Sequence, residues 1–215
     1  MNIRNVIVVG LAACALTGCK LESGEVQLTE SLGSVSFEGG KTLSLTTGFG
    51  SGAYHRPQDP ANVFYTITDR GPNIACNESL AVIGIEKFCG DDDAGKIFPL
   101  PDFTPAIYKI ALKQSRFSRN ASYEILAKIP LRDSAGAPIT GLPNPFTQTD
   151  TENAYDSFGH PVAFDVNGLD TEALVVLRNG SFWIAEEYGP SIVHVAADGR
   201  ILQRIVPESL AQDLT

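Results

Sequence analysis

Short runs of alternating or β-branched residues recur along the chain and predict strands nearly everywhere. Alternation is clearest over residues 41–47 (KTLSLTT), and strand-favouring side chains dominate residues 62–68 (NVFYTIT). The same pattern predicts further strands at 106–112, 123–129, 172–177, 181–185, 191–195 and 201–206. Beyond the amino-terminal segment, no stretch shows the apolar stripe of an amphipathic helix. The pattern therefore predicts an all-β protein.

Two long segments interrupt this pattern. Residues 73–105 and 131–161 are rich in proline, glycine and other turn-forming residues, and they predict loops or insertions on the strand scaffold. Elsewhere the connections look tight, with Asn179-Gly180 and Asp198-Gly199 each placed between short apolar runs, as in hairpin turns.

An internal repeat organises the strands. The aligned pairs are 48–53 with 168–173, 64–72 with 182–190, 107–110 with 192–195, and 125–130 with 201–207. Each copy holds four short strands in sequence, which is the sheet of a β-propeller blade, and blades bury their faces by stacking on one another. A β-sandwich with coincidental similarity between its strands is the alternative.

The amino terminus has the features of an export signal. Arg4 precedes an apolar run at 6–16 that is too short to span a bilayer. The run ends in Leu-Thr-Gly-Cys, which resembles the lipobox of bacterial lipoproteins. Residues 1–18 are therefore predicted to be the signal and Cys19 the site of lipid attachment, and Lys20 favours sorting to the outer membrane by analogy. The alternative is an ordinary cleavable signal with Cys19 incidental.

Charge and cysteine content narrow the class of protein further. The formal net charge of −9 disfavours nucleic acid as a partner. In the oxidising compartment that an export signal implies, Cys76 and Cys89 are predicted to form a disulfide. A metal site at this pair is the competing interpretation, but no histidine or further cysteine stands nearby at zinc-ligand spacing.

Several motifs resemble one known family. They are LDTEAL at 169–174, FWIAEEYGP at 182–190, DGR at 198–200, TDRGPN at 68–73 and ITGLP at 139–143. Together they resemble the phytase-like domain described as "esterase-like activity of phytase", over residues from about 42 to 207. The resemblance implies an exported β-propeller with phosphatase or esterase activity. The resemblance implies a phytase-like domain at 41–215, after a linker or first strand at 19–40. Because the repeat supplies only two blades, we expect the chain to hold the amino-terminal portion of a propeller.

Acidic residues fall where such a propeller would bring them to one rim. Asp170 and Glu172 begin the innermost strand of the second blade, while Asp69 and Glu187 end the second strand of their two blades. We expect Asp170, Glu172 and Glu187 to hold a hard cation such as Ca²⁺. The candidate catalytic residues are Asp69, Arg70, Glu172 and Glu187, with Arg70 stabilising charge on a phosphate. Alternatively, Asp69 and Glu187 accept backbone N–H groups in the turns before Gly-Pro.

Two hypotheses for function follow from these residues. The first is an exported, metal-assisted hydrolase of small-molecule esters or phosphoesters, lipid-anchored in the cell envelope at Cys19. The second is a non-catalytic propeller that binds a partner or ligand at the cell surface, because a propeller serves both purposes. No serine stands at the centre of a G-x-S-x-G motif, so the esterase hypothesis lacks a nucleophile elbow.

Overall fold

The computed structural model describes residues 7–10, 23–26, 28–114, 121–144 and 152–208. These residues are almost entirely strands and turns, which confirms the predicted all-β class. The strands are β1 Ile7–Gly10, β2 Ser23–Val26, β3 Ser31–Ser36, β4 Thr42–Thr46, β5 Gly52–Tyr54, β6 Val63–Ile67, β7 Ile74–Ala75, β8 Lys96–Ile97, β9 Ala106–Gln114, β10 Ala121–Pro130, β11 Ala154–Tyr155, β12 Pro161–Val162, β13 Thr171–Val176, β14 Phe182–Glu186, β15 Ser191–Val195 and β16 Ile201–Ile205. A 3₁₀ turn, Cys76–Glu78, leads into one short helix, α1, Ser79–Ile83.

The two copies of the sequence repeat fold as two four-stranded antiparallel sheets. Blade 1 has the strand order β5-β6-β9-β10, and blade 2 has the order β13-β14-β15-β16. Each sheet is built from consecutive strands of its own copy apart from the insertion between β6 and β9. The predicted propeller-like blades are therefore confirmed.

The strand register repeats from one blade to the other. Tyr65 pairs with Lys109 in blade 1, and the aligned residue Trp183 pairs with His194 in blade 2. Each outer strand also carries a β-bulge at the same place in the repeat. The bulge lies opposite Lys109 and Ile110 in blade 1 and opposite His194 and Val195 in blade 2. In β10 the bulge leaves Leu126 outside the ladder, and in β16 it does the same to Leu202. The aligned segments therefore share backbone geometry down to a local irregularity.

The main core lies between the two blades. Strands β5 and β6 of blade 1 contact β13 of blade 2, so the innermost strands of the two sheets are neighbours. Alternate residues of each strand point into this interface because successive side chains of a strand face opposite sides of its sheet. Its largest fully buried members are Ile67, Ile107, Leu131, Ile139, Leu169, Phe182, Ile184 and Val193.

The two segments predicted as loops meet in a third sheet of order β12-β11-β8-β7. Strand β11 pairs in parallel with β8, and the other pairs are antiparallel. The expectation of plain loops over 73–105 and 131–161 was therefore wrong in part, and so was the expectation of no helix. Strands of two residues and a helix of five are too short to leave a periodic pattern. The predicted disulfide between Cys76 and Cys89 is present in this insert and packs beside Ile83 and Ile97.

The amino-terminal region contributes two separate antiparallel strand pairs. Strand β3 pairs with β4, so the expected domain boundary after residue 40 falls at the turn of that hairpin. Strand β1, which lies within the predicted signal, pairs with β2, which lies after it. Cys19, the predicted lipid attachment site, lies outside the described residues. Among the described residues, none of the helices has the length and apolarity needed to cross a membrane.

Candidate functional site

The turns that follow β6 and β14 meet the first residues of β13. The amide of Arg70 donates to Oδ1 of Asp170 at 3.2 Å, and the amide of Glu187 donates to the Asp170 carbonyl at 3.0 Å. The Thr171 hydroxyl donates to the carbonyl of Thr68. Hydrogen bonds from both blades therefore fix the start of β13.

Three carboxylates converge at this point. Asp170, Glu172 and Glu187 each offer an oxygen, and these oxygens lie within 4.8 Å of one another. Asp170 is buried, whereas Glu172 and Glu187 are exposed, so the group opens to solvent on one side. The charge of Asp69 acts on both Asp170 and Glu172, which places Asp69 beside the group. The four predicted acidic residues are thus neighbours at one rim of the blade pair.

The electrostatics of the cluster reflect this crowding. The pKa of Asp170 is raised to about 7, first by burial and then by the charges of Asp69 and Glu172, against the lowering effect of Arg70. Desolvation and the charges of Glu187 and Asp69 raise the pKa of Glu172, which shares a hydrogen bond with Glu187. Burial likewise raises the pKa of Asp69. A cation would relieve this repulsion.

Arg70 links the cluster to a second set of groups. Its Nη1 lies 3.2 Å from Oδ2 of Asp170 and also forms an ion pair with Glu152. The guanidinium stands over the Tyr188 ring at 5.5 Å from the ring centroid, and the Tyr188 hydroxyl donates to the Gly141 carbonyl at 2.9 Å. Burial raises the pKa of Tyr188, so this hydroxyl stays protonated at neutral pH. Arg70 is held in place from several sides.

The alternative predicted for Asp69, that it accepts backbone N–H groups in its turn, describes part of what its carboxylate does. Its Oδ1 accepts the amide of Gly71 at 2.8 Å. Gly71 has a φ of +92°, and a Cβ there would overlap the ring of Phe103, so the turn requires glycine. In blade 2 the equivalent hydrogen bond from the turn is accepted by Glu186 and not by Glu187. Glu186 accepts the amide of Tyr188 at 2.9 Å, which leaves the Glu187 side chain on the cluster.

Glu186 belongs to a buried polar group beneath the cluster. Besides the Tyr188 amide, it accepts from the Ser191 hydroxyl at 3.1 Å and from Nδ2 of Asn144 at 3.3 Å. Burial raises the pKa of Glu186 and lowers that of Arg204, and each charge partly offsets the effect on the other. This buried pair supports the turn that carries Glu187.

The sequence patterns did not predict Glu152, Tyr188, Glu186 or Gly141 as parts of the site. The repeat alignment contained a signal for Tyr188, because it sets Tyr188 opposite Arg70 and residues aligned in two blades meet at the rim. Gly141 touches the Arg70 backbone so closely that a Cβ would overlap the Arg70 carbonyl. Gly141 and Glu152 lie outside the repeat; Gly141 belongs to the ITGLP motif at 139–143, whereas no motif included Glu152.

A serine and a histidine also lie in contact, in blade 2. His194 Nε2 is 3.1 Å from Oγ of Ser181, and that Oγ is 2.8 Å from Oδ1 of Asn179. Because an amide oxygen only accepts, the serine donates its proton to Asn179 and the imidazole donates to the serine. A histidine in that role is not a general base, so this pair is not a hydrolytic dyad.

Comparison with known proteins identifies the family. The family model "Phytase-like: Esterase-like activity of phytase" matches residues 46–214. The chain belongs to the phytase-like family. The matched range begins within β4 and takes in both blades, the insert sheet and every residue of the acidic cluster.

One relative of the phytase-like chain is an uncharacterized secreted protein of Arthroderma benhamiae. The two are 34% identical over 102 residues, which is 41% of this chain and 19% of that protein. The match thus covers about a fifth of the relative's length. No solved structure matches the chain.

Proposed function

We propose that this phytase-like protein is an exported, metal-assisted hydrolase of phosphoesters or esters. The observation that carries the proposal is the convergence of Asp170, Glu172 and Glu187 to within 4.8 Å, at the junction of two blades and beside Arg70. A guanidinium next to clustered carboxylates combines a cation site with a donor for a negatively charged substrate.

The donor set fits a hard cation. All three groups are carboxylates, with no histidine or cysteine in the cluster, and oxygen ligands of this kind suit Ca²⁺ better than zinc. Two of the three side chains are exposed, so a bound ion would keep positions open for water or substrate. Burial first, and then the charges of neighbouring carboxylates, raise the pKa values of Asp170 and Glu172, and a bound cation would offset the second of these effects.

Each residue has a distinct part in the proposed reaction. Asp170, Glu172 and Glu187 would hold the cation, which when bound supplies Lewis-acid activation of water and of the ester oxygen. Asp69 adds negative charge at the edge of the site and shapes its turn through Gly71. Arg70 orients Asp170 and offers positive charge to the substrate anion. Tyr188 keeps the guanidinium plane fixed.

Export and anchoring are part of the proposal. The relative in Arthroderma benhamiae is named as a secreted protein, and the Cys76–Cys89 disulfide suits an oxidising compartment. We propose that Cys19 carries the lipid and holds the protein at the outer membrane. Metabolic labelling with a fatty acid tests this, with labelling expected for the wild type and lost in Cys19→Ser. Labelling that persists in the variant would contradict it.

Calcium titration with thermal unfolding tests the metal site. We expect Ca²⁺ to raise the melting temperature of the wild type and to have much less effect on Glu187→Gln and Glu172→Gln. The control is Glu38→Gln, which removes an exposed carboxylate far from the cluster in sequence and should respond like the wild type. A melting temperature that does not respond to any divalent cation would rule out the site.

Turnover of a phosphomonoester such as p-nitrophenyl phosphate separates the two candidate functions. The hydrolase requires activity that depends on the cation and is lost in Glu187→Gln. A non-catalytic binding propeller is the second candidate, favoured by the absence of a positioned nucleophile at Ser181 and His194. A calcium-dependent melting shift without turnover of phosphate or carboxylate esters would support that second function.

A further inference from the structure

Among the described residues, no further sheet packs on the outer face of blade 2. Residues that pair across a sheet point to the same side of it, and this face carries Ala173, Val175, Trp183, Ala185, Ile192, His194, Gln203 and Ile205. Val175, Ile192 and Ile205 are 44%, 50% and 48% exposed. None of the eight is an acidic residue, a lysine or an arginine. A continuous apolar face of this kind is typical of an interaction surface.

The repeat shows what kind of surface the outer face is built to contact. In blade 1, Tyr65 aligns with Trp183, and Ile107 aligns with Ile192. Tyr65 and Ile107 are buried in the core between the blades, and the Tyr65 ring centroid lies 5.9 Å from that of Phe182. The face of blade 1 that packs on blade 2 therefore has its counterpart in the outer face of blade 2. The counterpart is suited to an apolar sheet.

A groove at one end of the outer face could receive a side chain from such a sheet. It has a volume of about 390 Å³ and lies between the β14–β15 turn and the end of β16. Its apolar lining consists of Pro190, Ile192, Ile205, Val206 and Pro207. The two polar residues of the lining, Glu186 and Ser191, are buried and hydrogen-bonded to each other. The groove therefore favours an aliphatic or aromatic side chain.

The two ends of the outer face carry opposite charge. Where β13 begins and β14 and β16 end, there are three exposed glutamates: Glu172, Glu187 and Glu208. At the opposite end, the β13–β14 turn carries Arg178 and the β15–β16 turn carries Arg200, and both are exposed. Asp198 is the acidic residue of these two turns. The face is thus apolar in the middle, negative at one end and weakly positive at the other.

We infer that the outer face of blade 2 binds a second copy of this chain in a two-fold dimer with antiparallel strands. In a two-fold contact the same patch meets itself, so an uncharged apolar face is its own complement. With the strands antiparallel across the interface, the glutamate end of each copy meets the arginine end of the other. Parallel strands would set glutamates against glutamates.

The open side of hairpin β3–β4 does not offer a second copy an equivalent surface. Its exposed side chains are hydroxyl-bearing: Ser34, Ser36, Thr42 and Ser44. Ser34 and Ser44 hydrogen-bond to each other at 3.3 Å, and Ser36 and Thr42 at 2.8 Å. Burying these hydroxyls against isoleucine and valine would cost desolvation without new hydrogen bonds. A head-to-tail stack of copies is therefore disfavoured against the two-fold dimer.

Sedimentation equilibrium of the full chain tests the dimer. Every sample carries Cys19→Ser, so that no attached lipid drives association, and contains a chelator, so that no cation bridges carboxylates. We expect a dimer at about 10 μM protein, and a dissociation constant at least about tenfold higher in Ile192→Asp. Leu80→Asp places the same charge on an exposed apolar residue of α1, and this matched control should dimerise like the parent chain.

Charge reversal tests the antiparallel orientation. A two-fold axis perpendicular to the strands sets β16 against β16 of the second copy, which brings Arg200 towards Glu208. Arg200→Glu and Glu208→Arg should each weaken the dimer about fivefold, and the double variant should restore it. Both residues are exposed, so these variants serve if circular dichroism shows that Ile192→Asp does not fold.

Three results would overturn the inference. The first is a parent chain that stays monomeric, which would leave the outer face to a sheet that this chain does not supply. The second is a dimer that Ile192→Asp and Leu80→Asp weaken equally. The third is a double charge reversal that associates no more tightly than the single variants. None of these measurements involves turnover or a bound cation, so the dimer and the proposed hydrolase stand or fall separately.

Discussion

Aligned residues of the two blades perform different tasks at the same rim. Asp69 closes its own turn by accepting the Gly71 amide, whereas in blade 2 Glu186 closes the turn and Glu187 is left for the cluster. The longer glutamate side chain at 186 reaches around the turn from a buried strand position. Because Glu186 accepts the hydrogen bond of the turn, the neighbouring Glu187 is available as a candidate metal ligand.

The contrast between Glu186 and Glu187 predicts opposite effects of the same substitution. Glu186→Gln removes a buried carboxylate that accepts several hydrogen bonds and leaves Arg204 without its charge partner. We expect a loss of about 3 kcal/mol in the free energy of unfolding, measured by urea denaturation. Glu187→Gln, tested in chelator, should leave stability unchanged or raise it slightly because it relieves repulsion with Glu172. Equal losses in the two variants would contradict this assignment.

How well the sequence predicts the site depends on whether a residue belongs to the repeat. Asp69, Asp170, Glu172 and Glu187 could be placed together because alignment of two copies gives their height on the blade. Glu186 was missed because a glutamate inside a strand pattern gives no sign of which way its carboxylate turns. Glu152 was missed because it comes from outside the repeat, where only tertiary packing decides its partner.

At the scale of elements, the strands of the blades were the most predictable parts of the fold. Strand β15 has the predicted bounds, and β6, β9, β10, β13, β14 and β16 begin and end within two residues of theirs, while no bounds were predicted for the short strand β5. Their apolar residues alternate because one face packs on the neighbouring blade. The insert strands β7, β8, β11 and β12 pair over two residues each, so their formation depends on the sheet they join and not on their own sequence.

A loop of blade 1 provides a prediction of pH dependence. Asp59 accepts from Nε of Arg56 at 2.8 Å and from Lys109 on β9 at 3.0 Å, which ties the β5–β6 connection to the sheet beside Tyr65. The hydrogen bond from Arg56 is the main cause that holds the pKa of Asp59 well below its usual value. A lowered folded-state pKa gives stability that is present at neutral pH and is lost as pH falls below about 4.

Asp59→Asn should therefore cost about 2 kcal/mol in the free energy of unfolding at pH near 7, since the side chain is mostly buried with its partners. The difference from the wild type should shrink steadily in more acidic buffer. Urea denaturation over a pH series measures both quantities. A difference that stays constant with pH would show that the loss comes from packing and not from the charge.

At the scale of the whole molecule, the three four-stranded sheets are joined to one another by connecting segments of the chain. The insert sheet is attached to blade 1 through the segments that precede β9, and its interior holds the Cys76–Cys89 disulfide with Phe37 and Ile97. The export signal and the two remaining cysteines predicted the disulfide, but no pattern predicted the sheet that surrounds it. That sheet combines residues far apart in the chain, and no local pattern records such an association.

Removing this disulfide should weaken the insert while leaving the blades intact. Cys76→Ala combined with Cys89→Ala releases the closed segment between them, which we expect to cost about 3 kcal/mol by the chain-entropy estimate. Hydrogen exchange should speed up at β7 and β8 and stay slow at β14 and β15. A reductant should change the wild type in the same way and leave the double variant unaffected. Equal loss of protection in blade 2 would show that the three sheets unfold together.

The paired bulges at Leu126 and Leu202 have a consequence for solubility. Strands β10 and β16 are the last strands of their sheets, and among the described residues no further strand pairs along the outer side of either one. A bulge bends the row of backbone amides and carbonyls on that side and breaks its even spacing, so an incoming extended peptide cannot match it from end to end. By repeating the irregularity in both copies, the chain discourages edge-to-edge aggregation at the outer edge of each blade.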